Sequence, residues 1–156
     1  MVYPFGRVVK KKLGEILIER KVITKEQLDE ALKEQGNNGG MLSQHLVKLG
    51  YVKEEDIVGC LVVQYGFPYL PLANYEIYHG SIERVPEGLA RKYCLIPIDN
   101  ISSVLTVVMA NPLDTDAISE LEGLTGCKVQ VFIGAPSEIS QAIEKYYGKT
   151  RGGKDA

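Results

Sequence analysis

The chain has 156 residues, of which 45% are hydrophobic, so it can bury one core of ordinary size or two small ones. Its 18 basic and 20 acidic residues nearly cancel, which argues against binding of nucleic acid or an anionic membrane through overall charge. Three cysteines without a CxxC spacing and two histidines predict reduced thiols and no metal site. Without a signal peptide or an apolar run of about 20 residues, the sequence predicts a cytoplasmic protein with no direct membrane insertion.

Residues 1–11 mix apolar side chains with basic ones and show no helical or strand period, so we expect a flexible arm. Residues 12–64 contain one pattern written twice at an offset of 29 residues, with residues 36–40 as the spacer. A unit of this size cannot bury its apolar face alone, so the two copies are expected to pack on each other. The duplication predicts about four helices.

In the first copy, Leu13 and Leu17 have helical spacing, and the helix is expected to end near Lys21. A second helix should begin at Thr24, because Gln27 three residues later completes a capping box.

In the second copy, Leu42 and Leu46 mark the first helix, and Gly50 is expected to end it. The following helix should turn Ile57 and Leu61 inward.

Two glutamines, Gln35 and Gln64, lie at equivalent positions on the apolar stripes of the two copies. A buried amide without a hydrogen-bond partner costs about 1–3 kcal/mol, so each must find a partner. Two explanations remain open at this point. Each side chain either bonds free carbonyls near its own helix end or the facing loop, or it contacts a ligand.

The starts of the copies, Lys12-Leu13-Gly14 and Met41-Leu42-Ser43, place free helix amides at two equivalent positions. Gly14 would let a ligand approach the backbone closely. Two such starts and two inward glutamines would suit a ligand with internal twofold character, such as a cyclic dinucleotide. The same residues are equally compatible with plain helix starts that have a basic flank.

After the repeat, residues 65–82 read as an extended connector, since prolines and aromatic residues replace the helical period. Residues 83–148 are predicted to form a small α/β domain with helices on a mixed sheet, which makes the whole chain an α+β protein. The predicted elements are a helix over 87–93, strands over 94–98 and 104–109 joined by a turn at 99–100, a helix from Asp114 or Thr115 to Leu124, a strand over 128–133, and a helix over 136–147. The polar residues 149–156 are expected to be a disordered tail.

Two groups of residues imitate functional motifs without their context. The triplet at 148–150 ends like a phosphate-binding loop, but Ile143 stands where that loop needs glycine, and a helix precedes it instead of a strand. Asp114, Asp116 and Glu120 are expected to stabilise the start of a helix, because acidic side chains complement its dipole. The sequence therefore predicts no catalytic residue.

One family shares a long collinear series of motifs with this chain. After the paired copies come QYGFPY at 64–69, IERVP at 82–86, ARKYCLIPI at 90–98, LTVVMANPLD at 105–114 and IEKYYG at 143–148. Over about residues 12–148 the chain resembles the N-terminal domain of type II secretion and type IV pilus assembly ATPases.

This resemblance implies a cytoplasmic, non-catalytic domain that connects a hexameric motor ATPase, in cis or in trans, to inner-membrane platform proteins. The domain would thus lie at the inner membrane only through its partners. The resemblance leaves open whether the machine secretes proteins or builds pili, and whether the domain is excised or free-standing.

In one branch of that family, the doubled motif binds cyclic di-GMP, which is the possible ligand here. The matching residues, the candidate ligand-binding set, are Lys12, Leu13, Gly14, Leu17, Gln35, Met41, Leu42, Ser43, Leu46 and Gln64. Lys12 and Met41 replace arginines of that motif, and Lys21 and Ser43 replace glycines. Because arginine supplies a planar fork and a stacking face that lysine and methionine lack, we expect an adaptor domain first and a ligand sensor second.

Overall fold

The computed structural model describes residues 12–155, apart from the side chains of residues 64, 65 and 149–155. The chain divides into two compact units, one ending at Gly66 and the other beginning at Phe67. We call them the repeat unit and the α/β unit. The predicted arm, residues 1–11, lies outside the described residues.

The repeat unit consists of helices, as predicted. They are α1 (Leu13–Glu19), α2 (Lys25–Asn38), α3 (Leu42–Lys48) and α4 (Glu54–Tyr65). Helix α1 packs on α4, α2 packs on α3, and α3 packs on α4. Helices of the first copy therefore pack on helices of the second copy.

The starts of the longer helices are fixed by side chains. Thr24 Oγ1 accepts the N–H of Gln27 at 3.2 Å, and Gln27 Oε1 accepts the N–H of Thr24 at 2.9 Å, which confirms the capping box. In the second copy, the carboxylate of Asp56 accepts the N–H of Lys53 at 3.1 Å. Each copy thus starts its second helix with a side chain that satisfies an otherwise free amide.

The shorter helices end in the same backbone geometry in both copies. Lys21 has φ +59° and Gly50, 29 residues later, has φ +81°. The N–H groups of Lys21 and Val22 bond back into α1, as those of Gly50 and Tyr51 bond back into α3. Left-handed backbone costs a non-glycine residue roughly 1–2 kcal/mol. The geometry of the repeat therefore imposes on Lys21 a conformation that is unfavourable for lysine.

The α/β unit places helices on a three-stranded sheet. Its elements are α5 (His79–Ile82), α6 (Glu87–Tyr93), β1 (Leu95–Ile101), β2 (Val104–Met109), α7 (Thr115–Thr125), β3 (Lys128–Ile133) and α8 (Pro136–Asp155). Strand β2 is central, with β1 antiparallel and β3 parallel to it, so the sheet is mixed, as predicted. Helix α7 makes the crossover that parallel neighbours require.

Three details differ from the sequence-based prediction. Strand β1 continues to Ile101, so the turn lies at Ser102 and not at 99–100, and Ser102 has φ +55°. The strand passes the predicted turn because a register shift between Pro97 and Asp99 absorbs the irregularity inside the ladder. The predicted connector contains α5, and the backbone of α8 is helical to Asp155, beyond the predicted start of a disordered tail at residue 149.

The central strand forms the core of the α/β unit. Leu105, Val107, Val108 and Met109 have no exposed surface, and α7 contributes the equally buried Ile118. Each such side chain contributes about 1.5–3 kcal/mol by leaving water. All three cysteines are buried as free thiols, and no helix of the described residues is both long enough and apolar enough to span a bilayer.

Candidate functional site

The two helix starts predicted to hold a ligand are structurally equivalent. Lys12 and Met41 precede α1 and α3 with extended backbones, at φ −80° and −89°. Their carbonyl groups accept the first helical N–H groups, from Ile16 at 3.3 Å and His45 at 3.2 Å. The structure therefore brings both copies of the motif into the same backbone conformation.

Most leucines of the candidate set are buried. Leu13 is 5% exposed, and Leu17 and Leu46 have no exposed surface, whereas Leu42 is half-buried. A side chain without accessible surface contributes to packing in this conformation and offers no area to a ligand.

Gly14 lies close to the side chain of Leu28. A Cβ atom at this position would lie 2.7 Å from Cδ1 of Leu28, which is much closer than ordinary contact. The space that could admit a ligand near the backbone of Gly14 is thus occupied by Leu28 of α2.

Ser43 occupies the position of Gly14 in the second copy, and Ile57 occupies that of Leu28. Ser43 is 2% exposed, and its hydroxyl has no hydrogen-bond partner among the residues that the structure describes. An unsatisfied buried hydroxyl costs about 1–3 kcal/mol. The serine therefore adds volume and an unmet polar group at a contact position of the motif.

Gln35 has a hydrogen-bond partner in the spacer that follows its own copy. Its Nε2 donates to the carbonyl oxygen of Gly40 at 3.0 Å, in the spacer between the copies. His45 of α3 also contacts the carbonyl of Gly39, so side chains from both copies organise the spacer. For Gln35 the structure agrees with the explanation by a nearby carbonyl. The side chain of Gln64 lies outside the description.

Two surface grooves were not found by sequence reasoning. One, of about 460 Å³, lies beside α2, where Tyr51 donates its hydroxyl to Glu30. The other, of about 360 Å³, lies in the α/β unit, and we call it the connector groove. Its lining includes Asn74, Tyr75, Glu76, His79, Lys145 and Tyr146. No sequence signal joins these residues, because about 70 positions separate the connector from α8.

The titratable groups with displaced pKa values have structural partners. Burial, aided by the charge of Glu87, raises the pKa of Tyr147, whose hydroxyl donates to the carbonyl of Val85 at 2.8 Å. Hydrogen bonds to Glu87 and Glu144 raise the pKa of Arg91. Burial raises the pKa of Cys60. The bonds of Tyr147 and Arg91 join α8 to preceding segments, and neither residue lines the two grooves described above.

The carboxylates singled out in the sequence have structural partners too. Asp114 caps α7 by accepting the N–H of Ala117 at 3.1 Å, and Glu120 accepts the hydroxyl of Tyr93 at 3.3 Å. The described part of the chain contains no group of three histidine, cysteine or acidic side chains placed to hold a metal ion.

Comparison with known proteins matches both units to one family. The family model of the MshEN domain matches residues 65–153, more than half of the chain. The type IV pilus assembly ATPases PilB of Myxococcus xanthus and Thermus thermophilus are each 32% identical over 88% of this chain. The type II secretion system protein E of Xanthomonas campestris is 28% identical over 93% of it. The chain spans only 24%, 16% and 26% of the lengths of these relatives.

Solved structures share the fold. MshE, in a structure with cdg, matches with a TM-score of 0.65 and 25% identity, covering 88% of this chain and 100% of that chain. The N-terminal domain of XpsE matches with a TM-score of 0.64 and 22% identity, covering 88% and 99%. The chain therefore belongs to the MshEN domain family, found as the N-terminal domains of type IV pilus assembly and type II secretion ATPases.

Proposed function

We propose that this chain is a cytoplasmic adaptor and regulatory domain of a type IV pilus assembly or type II secretion ATPase. In this role it docks the motor to platform proteins of the inner membrane and has no enzymatic activity of its own. The observation that carries the proposal is the extent of the similarity, which includes about nine-tenths of this chain but at most 26% of each relative. The shared part is thus a separable domain of a larger machine.

The surface supports a docking role in both units. Val63 of the repeat unit is 70% exposed, and Tyr78 and Ile101 of the α/β unit are 59% and 67% exposed. Single exposed apolar side chains are ordinary, but aromatic and large aliphatic groups also supply the anchors of protein interfaces. Each unit therefore offers anchors for a partner.

The adaptor proposal is tested by binding of the chain to the cytoplasmic domain of a platform protein from the same organism. We expect saturable binding in the micromolar range typical of reversible adaptor contacts, roughly −8 kcal/mol, by titration calorimetry. A heat-denatured sample of the chain is the control. Absence of binding at several times that concentration, with folded protein on both sides, would contradict the proposal.

The absence of enzymatic activity has its own test. The purified chain is expected to release no phosphate from ATP above the buffer rate, with a motor ATPase as the positive control. Hydrolysis that co-purifies with the chain through two unrelated columns would contradict this part of the proposal.

A second candidate function is sensing of cyclic di-GMP by the doubled motif. It is favoured by the match to MshE with cdg and by the similar backbone at equivalent helix ends of the two motif copies, including the left-handed Lys21. The ligand would contact the candidate set at the starts of α1 and α3 and near Gln35 and Gln64.

This chain differs from the cyclic di-GMP motif at several positions, which predicts weak binding of that ligand. Lys12 and Met41 supply no guanidinium, and Ser43 stands where the motif has glycine. The test is calorimetric titration of the chain and of a variant with Lys12→Arg, Met41→Arg and Ser43→Gly. Sensing by the natural chain would be refuted if it gave no heat and no thermal shift at roughly 100 µM ligand. Binding by the variant alone would show that the fold retains the site and that Lys12, Met41 and Ser43 prevent binding in the natural chain.

A further inference from the structure

The connector groove has a rigid floor. The buried backbone N–H of Ile77 donates to the hydroxyl of Tyr146 at 3.1 Å, which ties the connector to α8. The hydroxyl of Ser81 contacts the carbonyls of Tyr78 at 2.6 Å and Pro97 at 3.2 Å, which ties the same segment to β1. A groove whose walls are already ordered loses little conformational entropy when it binds a partner.

An aromatic ring lies between two nitrogen-bearing side chains on this floor. The ammonium of Lys145 is 5.4 Å from the ring centroid of Tyr146, and the imidazole of His79 is also 5.4 Å from it, tilted by 56°. Tyr146 is 6% exposed, while Lys145 and His79 are exposed. The groove thus combines one buried aromatic ring with a mainly polar lining that includes hydrogen-bond donors.

The contacts of Lys145 and His79 with the ring of Tyr146 leave hydrogen-bonding capacity unused on the rim. Within the described part of the chain, Lys145 and Glu76 form no ion pair, and Asn74 and His79 form no side-chain hydrogen bond. An occupant of matching chemistry would present a carboxylate to Lys145 and an N–H donor to Glu76. A peptide segment with an acidic side chain supplies both groups, whereas Glu76 would repel a free inorganic anion.

An exposed aromatic side chain immediately precedes a groove residue in the chain. Tyr78 stands between Ile77 and His79 and is 59% exposed. Its ring lies so close to Gly80 that a Cβ atom there would be 2.5 Å from the ring. The glycine therefore leaves room for the ring against the backbone, and tyrosines are enriched among the anchors of protein interfaces.

We propose that the connector groove, with Tyr78, is the surface of the α/β unit that binds the partner protein, through a segment that places an acidic side chain on Lys145. The inference rests on the docking function proposed above and assigns that function to a particular surface. The repeat unit is then free to serve a separate contact or a ligand.

Charge reversal at one groove residue tests this assignment in the intact chain. Lys145→Glu should raise the Kd for the cytoplasmic domain of the platform protein by about tenfold, because it sets a like charge against the partner's carboxylate. Lys145→Arg keeps the charge and should change the Kd less than about threefold. Lys128→Glu, at another exposed lysine of the α/β unit, is the matched control and should bind like the natural chain.

The outcomes separate this inference from the function on which it rests. Equal binding by Lys145→Glu and Lys128→Glu, with unchanged thermal unfolding, would overturn the groove assignment and leave the docking function standing. Failure of the natural chain to bind would overturn both. Binding that Lys145→Glu weakens should also be more salt-sensitive in the natural chain than in that variant, and equal salt dependence would count against the proposed ion pair.

Two other occupants of the groove have distinct signatures. Self-association of the chain in sedimentation experiments, abolished by Lys145→Glu, would assign the groove to a second copy and overturn the proposal. Sodium acetate alone could shift the amide resonances of Glu76 and Lys145. If it does so while Lys145→Glu leaves partner binding unchanged, the groove binds only a small anion and the proposal is overturned.

Discussion

The two copies of the repeat follow a similar backbone path, but side chains at equivalent positions differ in their packing and exposure. Gly14 lies against Leu28 in the first copy, whereas Ser43 and Ile57 occupy the equivalent sequence positions in the second. Leu32 is 44% exposed, but Leu61 at the equivalent position has no exposed surface. The difference shows that the duplicated pattern specifies the path of the chain more strongly than the surroundings of each side chain.

Each copy also carries its own unfavourable residue. In the first copy, Lys21 adopts the left-handed conformation that Gly50 adopts in the second. In the second, the hydroxyl of Ser43 is buried without a partner in the described structure. Both residues stand where the ligand-binding motif has glycine. Changing one copy into the other therefore measures what these departures cost.

The largest effect should come from the leucines that both copies bury. Leu17→Ala and Leu46→Ala should each lower the free energy of unfolding by about 2–5 kcal/mol, since both side chains are completely buried. Leu32→Ala, at a position 44% exposed, is the control and should cost under about 1 kcal/mol. Urea denaturation measures all three. Similar losses at Leu17, Leu46 and Leu32 would show that the copies are not packed as the structure has them.

Replacing Gly14 of the first copy with serine, the equivalent residue of the second copy, should lower stability. Gly14→Ser should destabilise the chain by about 1 kcal/mol, because its Cβ would displace the flexible end of the half-buried Leu28 side chain. Combining it with Leu28→Ile, the pair found in the second copy, should recover part of that loss. A double-mutant cycle gives the coupling energy, and a value near zero would mean that the two positions do not compensate each other.

The buried hydroxyl of the second copy should be dispensable for stability. Ser43→Ala removes the unpaired oxygen and keeps the Cβ atom, so we expect a gain of about 1 kcal/mol in chemical denaturation. Ser103→Ala, at an exposed serine of the β1–β2 turn, should leave stability unchanged within about 0.5 kcal/mol. A loss on Ser43→Ala would reveal a hydrogen bond that this conformation lacks.

The smallest gain in stability is expected at the ends of the short helices. Lys21→Gly should stabilise the chain by roughly 1 kcal/mol or less, because glycine adopts φ +59° without a steric penalty but has a more flexible unfolded state. The reverse change, Gly50→Lys, should destabilise it by about 1–2 kcal/mol. Thermal unfolding of both variants checks the sign. Destabilisation by Lys21→Gly would show that the lysine side chain stabilises the first copy through contacts of its own.

Local signals in the sequence were sufficient for much of the fold. The capping box at Thr24, the cap at Asp114 and the helix-ending Gly50 act within a few residues, and the structure contains all three. The alternation of strands and helices after residue 83 likewise led to the mixed sheet. The turn after β1 was misplaced because the register shift beyond Pro97 depends on pairing with β2, which the local sequence does not encode.

The candidate site was less accessible to sequence reasoning. The duplication identified the equivalent positions of the two copies, and the family motifs identified the family. Which leucine is buried, what fills the space beside Gly14, and which carbonyl Gln35 contacts depend on neighbours from other helices.

The sequence by itself determined the repeated chain path, the order of helices and strands, and membership of the family, because period, capping and turn chemistry are local and the motifs are collinear. Only the tertiary structure decided that Lys21 takes a glycine's conformation, that Ser43 is left without a partner, and that residues 74–79 form a groove with α8. These features arise from packing between segments distant in the chain, and no local pattern records them.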